Sequence, residues 1–260
     1  MSMNNLHKII SNFMAKRQIT VFGTDSTEKL SDISQNQSAD RLLKGAKSFI
    51  CFARVVPAAV YNTEKYSLET IWRSQNLLYR KLDTDALELA ALLEESGYSA
   101  LPNFGCCPMD INKNRDVEGY INQLILGEIS GIGFIGKNRL LINSAYGPRM
   151  MLGSVITDAE IGKYCSIEPQ NGKCPPDCTK CIDICPVKAL DKSGMKIDIM
   201  KCLFHTACVP FLPKIRFLLL RKFLPKSAAR LLNTRTFDEH TFHICSRCIS
   251  ICPIGVHSHD

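Results

Sequence analysis

The sequence predicts an α+β core over residues 1–164 followed by a cysteine-rich module over residues 165–260. Three observations point there. Only Cys51, Cys106 and Cys107 precede residue 165, while the other ten of the thirteen cysteines fall between Cys165 and Cys252. The first part carries both helix-period and strand-like apolar runs. A chain of 260 residues is long enough for one large core plus a small appended domain.

The elements follow in order. Leu6, Ile9, Ile10 and Phe13 recur at helical spacing, so the N-terminal stretch is an amphipathic helix. It has no apolar run of signal-peptide length and no twin arginine, which points to a reducing cytoplasm. "TDSTEKLSDISQNQSAD" (24–40) is polar and reads as a loop. "SFICFARVV" (48–56) reads as a buried strand. A long helix is expected from about Ser67, with Ile71, Leu78, Leu82, Leu89 and Leu93 among its apolar positions and Gly97 as its stop. "YSALP" is a short strand, and a helix is expected over about 117–130. "RLLIN" and "RMMLGSVITD" read as strands joined by "SAYGP".

The cysteine module contains "CPPDCTKCIDICP", a C-x3-C-x2-C-x3-C-P run from Cys174 to Pro186. A second run, C-x2-C-x3-C-P, comprises Cys245, Cys248, Cys252 and Pro253. In a reducing compartment, clustered cysteines favour metal over disulfide. A structural zinc site usually has two close pairs separated by a longer loop. Two tight runs, each ending in Cys-Pro, instead match a bacterial two-cluster ferredoxin, although the usual first gap is two residues. In that pattern the fourth cysteine of a run ligates the other cluster. Cys174, Cys178, Cys181 and Cys252 are therefore expected to hold one [4Fe-4S] cluster. Cys185, Cys245 and Cys248 are expected at the second, which lacks one ligand. Cys202, Cys208 and Cys165 are candidates for it, with His205, His240 and His243 as possible nitrogen donors. Eight thiolates and two dicationic cores add about −4. The formal +7 then falls to roughly +3, too small to argue for nucleic acid.

"GIGFIG" (131–136) matches a dinucleotide fingerprint, but it follows a helix and leads into a strand, the reverse of a Rossmann loop. Its glycines fit either a tight structural turn or a loop pressed against a flat cofactor. Cys106 and Cys107 read as small buried side chains or as groups reacting near a cofactor.

"GIGFIGKNRLLINSAYGPRMMLGSVITD" resembles the glycine loop and hairpin of the epoxyqueuosine reductases and the related reductive dehalogenases. "CTKCIDICPVKAL", "IDIMKC" and "CSRCISICP" resemble the same family's ferredoxin module. The resemblance implies a nitroreductase-like core that binds cobalamin, fed with electrons by the clusters. It implies corrinoid contacts at Gly131, Gly133, Gly136, Lys137 and Asn138. The lone cysteine after the first run, which completes the second cluster in the family, matches Cys202.

The sequence departs from the family at its proton-donor motif. The corresponding stretch is "CCPMDINKNRDVEGY", where Asp116 and Tyr120, with Asp110, are candidate general acids. The chain ends eight residues after Cys252, without the helical-repeat extension of tRNA-acting members, so a small-molecule substrate is expected rather than tRNA. The expected activity is a cobalamin-dependent reduction; the alternative is a ferredoxin-type electron carrier serving a partner enzyme. "FLPKIRFLLLRKFLPKSAARLLNTR" (211–235) holds Lys214, Arg216, Arg221, Lys222, Lys226, Arg230 and Arg235 and no acid. It reads as a helix packed on the clusters, or as a basic docking surface for reduced ferredoxin or flavodoxin or for an anionic membrane face.

Overall fold

The computed structural model describes residues 3–31, 38–105, 109–111, 117–208, 225, 228, 242–243 and 245–255. The elements run α1 (Met3–Lys16), β1 (Val21–Ser26), α2 (Glu28–Ser31), β2 (Ser48–Val55), α3 (Ala58–Tyr61), α4 (Ser67–Glu95) and β3 (Ala100–Asn103). Then come β4 (Met109–Ile111), β5 (Val117–Gly119), α5 (Gln123–Ile129), β6 (Phe134–Ile135), β7 (Leu141–Ile142), β8 (Met150–Thr157) and β9 (Tyr164–Cys165). The cysteine-rich part adds α6 (Lys180–Asp183), α7 (Ile199–Thr206), β10 (Ala207–Cys208), β11 (Phe242–His243) and α8 (Arg247–Ser250).

A five-stranded sheet in the order β3-β8-β2-β1-β9 forms the centre, and every pairing in it is antiparallel. This is a mixed α and β fold. Strands β2 and β8 pair along their whole length, from Ser48↔Thr157 to Val55↔Met150. Both are covered on two faces, so both read as continuous apolar runs rather than alternating ones. Ile50, Phe52, Met151 and Val155 pack on one face with Leu6, Ile10 and Met14 of α1 and Leu82, Ala86, Leu89 and Leu93 of α4. Phe49, Cys51, Leu152 and Ile156 pack on the other with Leu126 of α5, Ile132 and Leu141. Each fully buried Leu or Phe contributes about 1.5–3 kcal/mol. Helix α1 meets the sheet through an i, i+4, i+8 stripe, as its sequence period requires.

A buried charge ties α4 to the sheet. Asp85 is 1% exposed and accepts from Arg54 Nε at 2.9 Å and Nη2 at 2.7 Å. Arg54 Nη2 also donates to the Arg17 carbonyl at 2.9 Å, so α1, β2 and α4 share one network. Two guanidinium donors meeting one oxygen of this buried carboxylate keep its charge compensated.

Two sequence expectations are corrected. Val21–Ser26 is a strand next to β2, although part of it lay in the expected loop. Its polar residues are buried but satisfied: Thr24 Oγ1 donates to the Gly162 carbonyl at 2.7 Å, and Lys29 Nζ donates to both Asp25 oxygens. The helix expected from 117 starts only at Gln123, where the Asn122 side chain accepts from Leu124 N at 2.9 Å. Val117–Gly119 is a strand paired with Met109–Ile111. Strand β9 pairs with β1, which places Tyr164–Cys165 at the edge of the core sheet.

The glycine segment turns from α5 into a short hairpin. Gly131 has φ +80°, a conformation glycine adopts without strain. A Cβ on Gly133 would lie 2.7 Å from Leu141 Cγ and 2.9 Å from the Ile142 carbonyl oxygen. Asn143, 1% exposed, fixes this turn by donating from Nδ2 to the Ile132 carbonyl at 3.0 Å.

Two outcomes follow. Leu89→Ala, at a fully buried position between α4 and the sheet, will lower stability by about 2–5 kcal/mol, read as a shifted urea midpoint. Gly133→Leu will destabilise the protein by at least about 1–3 kcal/mol before any cofactor is added, because part of the obstruction is backbone. A melting temperature unchanged by that substitution would show that the hairpin does not need the glycine.

Candidate metal centres

The two cysteine runs fold alike. In the first, Ile182 N and Asp183 N donate to the Thr179 carbonyl at 2.8 and 3.0 Å, forming the single turn α6. In the second, Ile249 N and Ser250 N donate to the Ser246 carbonyl at 2.8 and 3.0 Å, forming α8. Each turn carries a cysteine at its second position, Cys181 and Cys248, and each is followed by Ile-Cys-Pro. Helices α6 and α8 pack against one another. A short turn with small caps lets several thiols face one side without a long loop to order.

Four of the eight expected ligands share a cavity. Cys174, Cys178, Cys181 and Cys252 line one cavity of about 20 Å³, with Lys137, Asn138 and Ile142 beside them. One ordered water needs about 10–15 Å³. Behind this cavity Cys252 packs with Phe134, Ile142 and Ile254, an apolar backing. Burial raises the Cys181 thiol pKa most, and the neighbouring Cys174 and Cys178, then Cys252, add to it. Burial likewise raises Cys252, helped by Cys174 and Cys178 and opposed by Lys180.

The other four are Cys185, Cys202, Cys245 and Cys248. Burial pushes the Cys248 thiol up to about 12, with Cys202, Cys245, Cys181 and Cys185 adding to the rise. Cys202 sits on α7; burial raises it first, its contact to Thr206 Oγ1 at 3.7 Å opposes, and Cys245 and Cys185 add to the rise. Crowded thiols of this kind favour a cation that takes their protons' place. Two backbone donors already point at sulfur: Lys137 N to Cys174 Sγ and Ala189 N to Cys185 Sγ, both at 3.3 Å. All ten cysteines whose thiols are described are free of disulfides. Among the described residues, no three His, Cys, Asp or Glu side chains are gathered as ligands of a single metal ion.

The other candidates for the eighth ligand stand apart or are not described. Cys165 lies on β9 at the edge of the core sheet and packs with the second core cluster, near Gly131. His205 is on α7, one turn from Cys202. Cys208 and His243 are described in backbone only, on paired β10 and β11, and His240 lies outside the described residues.

The five expected corrinoid contacts are engaged by the chain itself. Beyond the clash at Gly133, a Cβ on Gly131 would meet Pro169 at 3.5 Å, and one on Gly136 would run into Ile142. Lys137 Nζ donates to the carbonyls of Pro175 at 3.1 Å, Pro176, and Cys178 at 3.0 Å. An ammonium has three donors, and all three are used. Asn138 is 4% exposed; its Nδ2 donates to the Cys248 carbonyl at 3.4 Å and its Oδ1 accepts from Leu140 N at 3.2 Å. No local pattern signals these contacts, because Lys137 and its partners are about forty residues apart.

Of the candidate acids, Tyr120 is half-buried with its ring edge on Phe104 at a centroid distance of 6.2 Å, and burial raises its pKa. Asp110 is described in backbone only, on β4. Asp116, Cys106 and Cys107 lie outside the described residues, as does 211–235 apart from Pro225 and Ala228. Among the described residues no helix is long and apolar enough to cross a membrane.

No protein-family model matches the chain. An epoxyqueuosine reductase of Bacillus anthracis is 29% identical over 230 residues, covering 85% of this chain and 52% of that protein. The chain thus spans about half the length of that relative. A crystal structure of selenomethionine-labelled epoxyqueuosine reductase superposes with a TM-score of 0.59 at 19% identity, covering 98% of this chain and 66% of that one. An epoxyqueuosine reductase solved with an epoxyqueuosine-modified tRNA-Tyr stem loop superposes with a TM-score of 0.56 at 19% identity, over 98% of this chain and 66% of that one. In sequence the chain is similar to epoxyqueuosine reductases, and it shares their fold.

Proposed function

We propose that the protein is an iron–sulfur oxidoreductase of the epoxyqueuosine reductase type, holding two [4Fe-4S] clusters on a ferredoxin-like module. The observation that carries this is the cavity in which Cys252 of the second run joins Cys174, Cys178 and Cys181 of the first. That exchange between runs is the ligand pattern of two-cluster ferredoxins. Cys185, Cys202, Cys245 and Cys248 would hold the second cluster. Bound clusters supply a low-potential one-electron relay. The chain's part is to set the environment. Lys137 N and Ala189 N donate to Cys174 Sγ and Cys185 Sγ, Phe134 and Ile142 back one side of the first cavity with apolar surface, and Ile182 and Ile249 hold the turns that present the thiols.

The corrinoid expected from the resemblance is a separate matter. Residues 131–138 have their close approaches and polar groups committed to the hairpin and the cysteine runs, so they do not fit the contacts expected of them. That commitment also favours a second reading, a ferredoxin-type carrier that hands electrons to a partner enzyme. A reduced ferredoxin or flavodoxin remains the proposed donor to the clusters in either case.

The substrate expectation changes. A protein of this fold has been solved with an epoxyqueuosine-modified tRNA stem loop. Epoxyqueuosine-bearing tRNA is thus the first substrate to offer, reduced to queuosine by two electrons and two protons with loss of the epoxide oxygen as water.

Anaerobic reconstitution with iron and sulfide should give about eight irons per chain. Cys202→Ser should lower this to about four and leave one cluster's electron paramagnetic resonance (EPR) signal unchanged; if Cys208→Ser does this instead, the eighth ligand is misassigned. Supplying cobalamin in the same reconstitution separates the two readings. Stoichiometric cobalt retained through gel filtration would restore the corrinoid, and its absence together with unreacted modified tRNA would leave the electron carrier.

A further inference from the structure

Lys137 is the residue whose use in the structure differs most from its expected one. It follows the last glycine of the 131–136 segment and is half-buried at the rim of the first cavity. Its backbone N–H points at Cys174 Sγ, and its ammonium reaches the carbonyls of Pro175, Pro176 and Cys178. The two prolines matter. They have no N–H, so the loop between Cys174 and Cys178 has few internal donors of its own. Cys178 N to the Pro175 carbonyl, at 3.1 Å, is the backbone bond that closes it. Three carbonyls converging on one point repel unless a cation sits between them. The lysine stem is held in place by Gly194, at φ +71°, where a Cβ would come within 2.5 Å of Lys137 Cβ. A side chain there would displace the stem and the ammonium with it.

The structure assigns Lys137 a positioning role at the first metal centre: it fixes the Cys174–Cys178 loop through three carbonyls and, with Lys180, places positive charge at the rim of the cavity lined by the thiols that would hold the cluster. This rests on the cluster reading proposed above. Two consequences separate it from packing alone. The loop should be ordered before iron arrives. Once a cluster is bound, its one-electron reduction adds a negative charge, which a nearby cation favours. Lys137 therefore raises the affinity of the first cluster for an electron and leaves the second nearly untouched.

The test uses the full chain, wild type beside Lys137→Gln and Lys137→Arg. Amide hydrogen exchange on the iron-free protein reads the clamp. Lys137→Gln should speed exchange at Cys178 and Thr179 about tenfold, and Lys137→Arg, which keeps a cationic donor, should speed it less. EPR-monitored reductive titration of the reconstituted proteins with dithionite reads the charge. Lys137→Gln should weaken electron affinity about tenfold at one cluster, a shift of about 59 mV to lower potential, with the other unmoved and Lys137→Arg close to wild type. Unchanged exchange and unchanged potentials in Lys137→Gln would overturn the assignment. Equal potential shifts in Gln and Arg variants would overturn its electrostatic half. If the wild type takes up no iron, the cluster reading fails, while the exchange experiment still decides whether Lys137 holds the loop.

Discussion

Strands β2 and β8 have no face they can show to water, and the rest of the molecule is arranged around covering them. Ile50, Phe52 and Val155 on one side, and Phe49, Cys51 and Ile156 on the other, are fully buried. One helix cannot cover both faces. The N-terminal helix and the long α4 close the first, and α5 with the glycine hairpin closes the second. Gly153 shows how tight the fit is, since a Cβ there would sit 2.9 Å from the Phe52 ring and 3.4 Å from Leu82. Close packing of this kind transmits position, because neither strand can shift without opening a void.

That rigidity reaches the metal centres through one short stretch of chain. Residues 131–150 leave α5, make the β6–β7 hairpin and enter β8. Their core ends are fixed by Leu126, Ile132 and Leu152, and their tip meets both cysteine runs. Lys137 binds the first run and Asn138 the second. Further along, Arg149 donates to the Val56 carbonyl at 3.3 Å and to the Gly255 carbonyl at 2.8 Å, which ties the end of the second run to β2 and β8. Gly147 and Gly255 let the two backbones touch there, each at positive φ. The cysteine runs are thus oriented by the sheet rather than hung from it by a linker.

What was legible in the sequence was local. Helix α4, strands β2 and β8 and the two cysteine runs are each announced by residues within one window, through apolar period or thiol spacing. Strand β1 was hidden because Thr24 and Asp25 look like loop residues; only the fold supplies the Gly162 carbonyl and the Lys29 ammonium that make their burial tolerable. The start of α5 was misplaced because apolar residues over 117–130 fit a helix equally well, and the strand pairing of Val117–Gly119 with Met109–Ile111 is not a helical signal. At the site, the resemblance singled out 131–138 for corrinoid contacts, whereas the contacts this segment makes are with residues far along the chain. No periodicity reports that Gly136 faces Ile142 or that Lys137 faces Cys178.

One departure from the usual ferredoxin spacing makes physical sense in this setting. The first run has three residues between its first two cysteines, where the common pattern has two. The longer gap is "PPD", and two of the three carbonyls bound by Lys137 belong to its prolines. The second run has no counterpart of this gap: its "SR" between Cys245 and Cys248 matches "TK" between Cys178 and Cys181, and there the core contributes one amide, from Asn138 to the Cys248 carbonyl. The extra residue lengthens the loop, and prolines stiffen it by fixing φ. The lysine then closes it from outside. Spacing, prolines and lysine form one device, in which a longer loop is kept as ordered as a short one by a cation borrowed from the neighbouring hairpin.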